Sequence, residues 1–112
     1  MCGIVGILSS SRQPDPSRRD AVVAMRDRMA HRGPDAQTSF THANFSFTHR
    51  RLKVIDTSDA ANQPLFNEAR TMAVVFNGEI YNFLELREIL VRKGHRFQTR
   101  SDTEVVVHAY EE

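Results

Sequence analysis

Cys2 is the only cysteine of the chain and directly follows the initiator methionine. Its small side chain permits removal of Met1, which leaves a thiol and a primary α-amine on one residue. An α-amine titrates at about 7.7–8.0 and a thiol near about 8.5. Around neutral pH such an amine is partly unprotonated and can take the thiol proton, directly or through one water. That makes an N-terminal nucleophile, with the base supplied by the nucleophile's own backbone. The plainer alternative is a small apolar residue at the head of a buried strand, where free cysteine is often found. Position alone favours the plainer one.

Asn77-Gly78-Glu79 follows an apolar run. Acyl transfer needs donors aimed at the oxygen that becomes negative, and an Asn side-chain amide with a glycine N–H can supply two. Glycine also lets the backbone approach a substrate without a Cβ in the way. Asn-Gly is equally a favoured hairpin turn, but the residues beyond it read as a helix.

Arg51 and Asp102 form a third candidate group. A free amino acid offers a carboxylate, which an arginine fork matches, and an ammonium, which a carboxylate matches. Asp102 also suits a helix start through the helix dipole, and Arg50 and Arg51 can equally be surface cations. His31-Arg32-Gly33-Pro34-Asp35 reads as a tight turn with Asp35 bonding turn amides, shaping a loop beside the site. The five histidines, at 31, 42, 49, 95 and 108, show no close spacing that suggests a metal. No metal ligand is expected.

The elements that must carry these residues follow from pattern. Residues 2–8 are almost continuously apolar and read as a strand buried on both faces. Residues 9–16 read as a loop. Ser17, with Asp20, caps a helix whose buried face is Ala21, Val22, Met25 and Met29, ending near His31 before Gly33-Pro34. Segments 37–41 and 45–49 alternate and form a hairpin about His42-Ala43-Asn44. Val54-Ile55 could extend a strand, and 71–76 is a β run. Asn82, with Glu85, caps a second helix with Phe83, Leu86, Ile89 and Leu90 as its stripe and Gly94 as its stop. Residues 96–99 suggest a short strand, and Ser101-Asp102-Thr103-Glu104 is a capping box for a third helix. Hairpins mixed with helices predict an α+β fold with a largely antiparallel sheet.

With 112 residues the chain fits one domain. Hydrophobic residues at 40% and charged residues at 26% suit an ordinary globular protein. A net charge of +1, with basic residues dispersed, disfavours a nucleic-acid partner. One cysteine excludes an internal disulfide and suits a reducing, cytoplasmic setting. The N-terminus lacks the basic region of a signal peptide, and no apolar run approaches the roughly 18 residues of a membrane helix.

In order along the chain stand Met1-Cys2-Gly3-Ile4-Val5-Gly6, His31-Arg32-Gly33-Pro34-Asp35, Arg51-Leu52, Gln63-Pro64-Leu65, Asn77-Gly78-Glu79-Ile80-Tyr81-Asn82 and Ser101-Asp102-Thr103-Glu104. Over nearly its full length the chain resembles the N-terminal glutaminase domain of class II glutamine amidotransferases, and within them the glutamine-hydrolysing asparagine synthetases. The resemblance implies an N-terminal nucleophile hydrolase fold, an αββα sandwich of antiparallel sheets between helices. It implies that Cys2 attacks the side-chain amide of L-glutamine, forms a thioester and releases ammonia, after which water frees glutamate. Asn77 and Gly78 would form the oxyanion hole, Arg51 would bind the glutamine carboxylate and Asp102 its α-ammonium. Leu52, Lys53, Val54, Ile55 and Glu79 would line the pocket.

Relatives that make glucosamine phosphate or phosphoribosylamine usually carry Arg-Gly-(Tyr/Gln)-Asp-Ser where this chain has Arg32-Gly33-Pro34-Asp35-Ala36. The string from Asn77 to Asn82 also favours the asparagine synthetase side. Enzymes that amidate other acceptors share these strings, and a non-catalytic fragment that keeps the fold is the further alternative. Thr38 stands where the family often has glycine, which bears on loop shape. The family's domain continues beyond the length of this chain and is followed by a synthetase domain. Residues 1–112 are therefore expected to be the N-terminal part of a type-2 amidotransferase domain, unable to make asparagine alone. No cofactor is implied in this chain; ATP and Mg2+ are implied for the synthetase domain, the natural partner, and a homodimer stays open as an assembly.

Overall fold

Three antiparallel strands organise residues 1–53 in the computed structural model, which describes residues 1–11, 13 and 15–112. They are β1 (Gly3–Leu8), β2 (Ala36–His42) and β3 (Phe45–Arg51), in the order β1-β3-β2. The register runs from Gly3 opposite Arg50 to Leu8 opposite Phe45, and from Ala36 opposite Arg51 to His42 opposite Phe45. The expected hairpin is present. Ala43 turns the chain at φ 43°. Beside it, Ser9 N–H donates to Asn44 O at 2.8 Å while Asn44 Nδ2 donates to Ser9 O at 3.0 Å.

Helix α1 (Pro16–Arg28) covers one face of this sheet. That face carries Gly3, Val5 and Ile7 with their cross-strand partners Arg50, Thr48 and Ser46, since paired residues share a face. Ser46 and Thr48 are fully buried there. The opposite face carries Ile4 and Leu8, both exposed, and a Phe40–Phe47–Phe45 stack with centroids 5.3 and 5.8 Å apart. A helix on one side only gives β1 alternating burial, and the strand buried on both faces expected from its composition is not found.

The sequence also misplaced the start and the face of α1. Asp15, not Ser17, is the cap: its Oδ1 accepts from Ser17 N–H at 2.9 Å and from Ser17 Oγ at 2.7 Å, with Pro16 in the first turn. The expected loop 9–16 thus gives up Pro16 to the helix, and its Arg12 and Pro14 lie outside the described residues. The buried residues of α1 are Arg18 and Val22, with Met29 half-buried at its C-cap, while Ala21 and Met25 are exposed. Arg18 is pulled inward by carbonyl acceptors, its guanidinium donating to Gln13 O at 2.5 Å and to Ala43 O at 3.4 Å. Polar partners therefore outweighed apolar spacing in choosing the helix face.

Below β3 the backbone passes very close to Gly33. A Cβ there would lie 2.4 Å from the Arg50 carbonyl carbon and 2.6 Å from Arg51 N. Glycine is required by that approach, not by a special dihedral.

Residues 54–112 form the second unit. A 3-10 turn (Asp59–Ala61) leads to a minimal hairpin of β4 (Leu65–Phe66) and β5 (Ala73–Val74). The expected β run 71–76 shrinks because side chains take its amides. Asn67 Oδ1 accepts from Thr71 and Met72 N–H, each at 2.9 Å, and Gln63 Oε1 accepts from Phe76 N–H at 2.5 Å. Val54-Ile55 lies outside any strand.

Helix α2 (Phe83–Arg92) buries Leu90 and half-buries Phe83 and Leu86, while Ile89 is largely exposed. Asn82 makes no side-chain cap bond. Gly94 stops the helix as expected, at φ 109°. Gly94 N–H donates to Val91 O at 3.0 Å and His95 N–H to Leu90 O at 3.1 Å, the Schellman pair of bonds.

Helix α3 (Glu104–Glu111) buries Val105 and Val107 against α2, β4 and β5. Its expected capping box is not formed. Glu104 instead reaches back to Gln98 N–H at 2.7 Å, Thr99 N–H at 2.7 Å and Thr99 Oγ1 at 2.6 Å. Glu68 likewise accepts from Arg96 N–H at 2.6 Å. Carboxylates occupy the amides that a strand at 96–99 would have paired, and no strand forms there. Among the described residues the result is α+β, with antiparallel sheets and three α-helices. Among the described residues no helix is long and apolar enough to cross a membrane.

Gly33→Ala is expected to destabilise the protein by about 1–3 kcal/mol in urea denaturation, because backbone must shift to admit the Cβ. Gly6→Ala is the control: its Cβ meets Phe47 Cβ at an ordinary 3.6 Å, and little change is expected. Equal costs at the two positions would contradict the close-approach account. Bonds from the Ser17 side chain, then its backbone amide, hold the Asp15 carboxyl below its ordinary 3.8. A depressed carboxyl stabilises the fold above its unfolded-state value and loses that contribution as pH falls through the folded one. Asp15→Asn is therefore expected to flatten the loss of stability below pH 3.8, read by denaturation at stepped pH, whereas an unchanged acid limb contradicts the cap.

Candidate active site

Cys2 stands one residue before β1. Extending the β1–β3 register by one step sets it opposite Arg51, with both side chains on one face of the sheet. Its sulfur meets the next residue along. Leu52 N–H donates to Cys2 Sγ at 3.3 Å, and the Leu52 carbonyl oxygen lies 3.8 Å from the same sulfur as acceptor. One peptide neighbour thus serves both states of the sulfur: the carbonyl accepts from a thiol and the amide donates to a thiolate. The Cys2 side chain is half-buried, open enough for reaction.

The His31-Arg32-Gly33-Pro34-Asp35 string holds this arrangement by its bonds. Arg32 Nε donates to the Cys2 carbonyl at 3.0 Å. Asp35 N–H donates to Arg51 O at 3.1 Å, and Asp35 Oδ2 accepts from Lys53 N–H at 2.8 Å. Gly33 admits the Arg50–Arg51 backbone. Sequence reasoning placed this loop beside the site but gave Arg32 no part in it. The only signal was an arginine ahead of a tight turn, which spacing cannot connect to Cys2. Arg51 is 4% exposed, Leu52 is exposed and Lys53 half-buried.

In the second unit Asn77, Gly78 and Glu79 are exposed on the loop between β5 and α2. The chain continues into a helix, so Asn77-Gly78 is not the turn of a β-hairpin. The Phe76 ring folds back over the glycine, and a Cβ on Gly78 would lie 2.5 Å from its Cζ. Both ends of the loop are fastened. Gln63 accepts from Phe76 N–H and passes its own amide to Thr103 Oγ1 at 3.3 Å. Asp102 Oδ2 accepts from Ile80 N–H at 2.9 Å, and Asp102 Oδ1 lies 3.5 Å from the Ser101 hydroxyl. Asp102 is 5% exposed, a buried carboxylate that keeps acceptor capacity on Oδ1.

The expected residues thus fall into two groups. Cys2, Arg51, Leu52 and Lys53 gather with Arg32 and Asp35 in the first unit. Asn77, Gly78, Glu79 and Asp102 gather with Gln63 in the second, where Val54 is exposed and Ile55 half-buried.

A family model described as a glutamine amidotransferase domain matches residues 1–112. The chain is 45% identical over 112 residues to asparagine synthetase [glutamine-hydrolyzing] 1 of Arabidopsis thaliana, covering all of this chain and 18% of that protein. It is 44% identical over 112 residues to the glutamine-hydrolyzing asparagine synthetase of Sandersonia aurantiaca, covering 21% of it. It is 42% identical over 113 residues to a probable asparagine synthetase [glutamine-hydrolyzing] of Dictyostelium discoideum, covering 20% of it. The chain therefore spans about a fifth of the length of these relatives. From end to end it belongs to the glutamine amidotransferase domain family.

Proposed function

We propose that this chain is the glutaminase portion of an amidotransferase, hydrolysing L-glutamine to glutamate and ammonia through a thioester on Cys2. The observation that carries the reading is the sulfur itself, half-buried beside β3 with the Leu52 amide and carbonyl on it. With Met1 removed, the Cys2 α-amine takes the thiol proton as sulfur attacks the glutamine side-chain carbonyl carbon. The carbonyl oxygen becomes negative, and the Asn77 side-chain amide with Gly78 N–H stabilise it. The amine returns its proton to the departing nitrogen, ammonia leaves and a γ-glutamyl thioester remains. Water then adds, losing a proton to the same amine, and glutamate departs as the thiol reforms.

Arg51 takes the α-carboxylate of glutamine and Asp102 its α-ammonium. Leu52, Lys53, Val54, Ile55 and Glu79 line the pocket. In this reading residues 1–112 are the N-terminal part of a type-2 domain with the αββα sandwich of N-terminal nucleophile hydrolases. The apolar sheet face of exposed Ile4 and Leu8 with half-buried Phe40, Phe45 and Phe47 supports that, since it is the kind of surface a second sheet would cover. The names of the relatives support asparagine synthesis as the destination of the ammonia, with aspartate as the acceptor in this reading. ATP and Mg2+ belong to a synthetase domain; this chain carries no glycine-rich phosphate loop, so they enter no step here. A single cysteine supports a reducing, cytoplasmic setting.

Glutamate release from glutamine by the intact protein tests the reading. Cys2→Ala is expected to lose at least about 10³-fold in turnover, and Asn77→Ala about 10²–10³-fold with KM little changed. A folded form that retains Met1 is expected to match Cys2→Ala. Undiminished release by Cys2→Ala, or no release by the parent protein, contradicts the proposal and leaves a non-catalytic module.

A further inference from the structure

A cluster in the second unit plays no part in the proposed glutaminase chemistry. Glu68, His95, His108 and Glu111 each bring one ligand atom to a common point, all within 4.8 Å of one another. They come from separate places in the chain. Glu68 lies in the β4–β5 turn, His95 directly follows the Gly94 stop of α2, and His108 and Glu111 share one face of α3.

His108 is 1% exposed, and neither of its ring nitrogens makes a hydrogen bond. Each nonetheless faces a carboxylate. Nδ1 lies 3.4 Å from Glu68 Oε2, and Nε2 lies 3.5 Å from Glu104 Oε1. His95 repeats the pattern: Nδ1 is 3.3 Å from Glu68 Oε1 and 4.0 Å from Glu111 Oε2, while Nε2 is 3.3 Å from Glu112 Oε1. Both rings turn one nitrogen inward and offer the other to an outer carboxylate. Metal-binding histidines are held in this way, the outer carboxylate fixing the tautomer. Glu104 is itself anchored by the Gln98 and Thr99 amides.

The spacing fits a four-coordinate ion. Bonds of about 2.0–2.1 Å to nitrogen and oxygen give tetrahedral edges of roughly 3.3 Å. His95 Nδ1 and His108 Nδ1 already stand at about that distance from the Glu68 carboxylate, each from a different oxygen, and the His95–Glu111 separation of 4.0 Å lies within ~1 Å of it. The two imidazole rings, with centroids 4.8 Å apart, would repel if both were protonated. A divalent cation suits two inward nitrogens and two carboxylates better. A backbone N–H from Arg96 holds the Glu68 carboxyl down at about 2, so it is ionised at neutral pH. A cleft lined by Lys93, Arg96 and Glu112 gives entry, and Lys93 is paired there with Glu112.

We propose that Glu68, His95, His108 and Glu111 bind one divalent transition-metal ion of the Zn2+ type, tying the β4–β5 turn and the end of α2 to α3. Two imidazoles with two carboxylates favour Zn2+ over Mg2+ or Ca2+, which take oxygen alone. Four protein ligands make the site closed and structural.

The test uses intact, chelator-stripped protein, titrated with Zn2+ by calorimetry and with Co2+ by visible absorption. One ion per chain and the intense absorption of tetrahedral Co2+ are expected. His95→Asn and Glu111→Gln are each expected to weaken Zn2+ binding at least about tenfold, with circular dichroism unchanged. Glu111 is exposed and the His95 side chain is 9% exposed against 1% for His108, so both variants disturb the interior less than a change at His108. Absence of Zn2+ binding overturns the proposal, as does binding that survives both substitutions. Binding lost in Cys2→Ala instead places the ion on the thiol and also overturns it. None of these readouts depends on glutamine hydrolysis.

Discussion

Antiparallel pairing of β1 with β3 is the constraint on which the first unit depends. It decides which residue meets the beginning of the chain. With Gly3 opposite Arg50, Cys2 falls opposite Arg51 and its sulfur beside the Leu52 peptide. A slip of one residue would turn every β1 side chain to the other face and part the thiol from Arg51. Gly33 lets its loop run against the β3 backbone, and Asp35 then ties down Arg51 and Lys53. Arg32 closes the circuit on the Cys2 carbonyl. Within the first unit the spacing of Cys2 from Arg51 therefore follows from the β1–β3 register, with the Arg32 and Asp35 side chains tying the ends.

The second unit is organised differently. Its strands are two residues long, and most of its loop amides would lack partners on strand pairing alone. Polar side chains supply them. Asn67, Gln63, Asp102, Glu68 and Glu104 accept backbone N–H bonds from the β4–β5 turn, the Asn77 loop and residues 96–99. Buried amides must be satisfied by something, and a buried network costs dearly if one member is lost. Gln63 and Asp102 thereby act on the Asn77-Gly78 loop from a distance in sequence. Asp102 combines this positioning with the acceptor proposed for the substrate ammonium.

Local signals in the sequence were reliable where one element explained them. The hairpin about Ala43-Asn44, the Gly94 stop and the presence of three helices among the described residues follow from short-range patterns, whereas the caps expected at Ser17, Asn82 and Ser101 did not form. Signals failed where a distant side chain intervened. The β pattern of 71–76 and 96–99 is real as propensity, yet Asn67, Gln63, Glu68 and Glu104 claimed its amides. The buried face of α1 was drawn from its apolar residues, while Arg18 found carbonyls inside. Asp15 outcompeted Ser17 as cap because Pro16 fits the first turn. Cys2 was legible as chemistry, but its partner Leu52 and its anchor Arg32 were not, since strand register and not spacing joins them. The histidine and glutamate cluster was hidden for the same reason: its members converge only after the turn, the Schellman stop and α3 have formed.

The central claim is that the first residue of the processed chain carries both nucleophile and base. Trapping the intermediate tests it most directly. Intact protein turning over glutamine, quenched in acid and digested, is predicted to yield an N-terminal peptide that begins at Cys2 and carries one glutamyl group on sulfur. Steady glutamate formation with that peptide unmodified, or with the glutamyl group on another residue, would contradict the account.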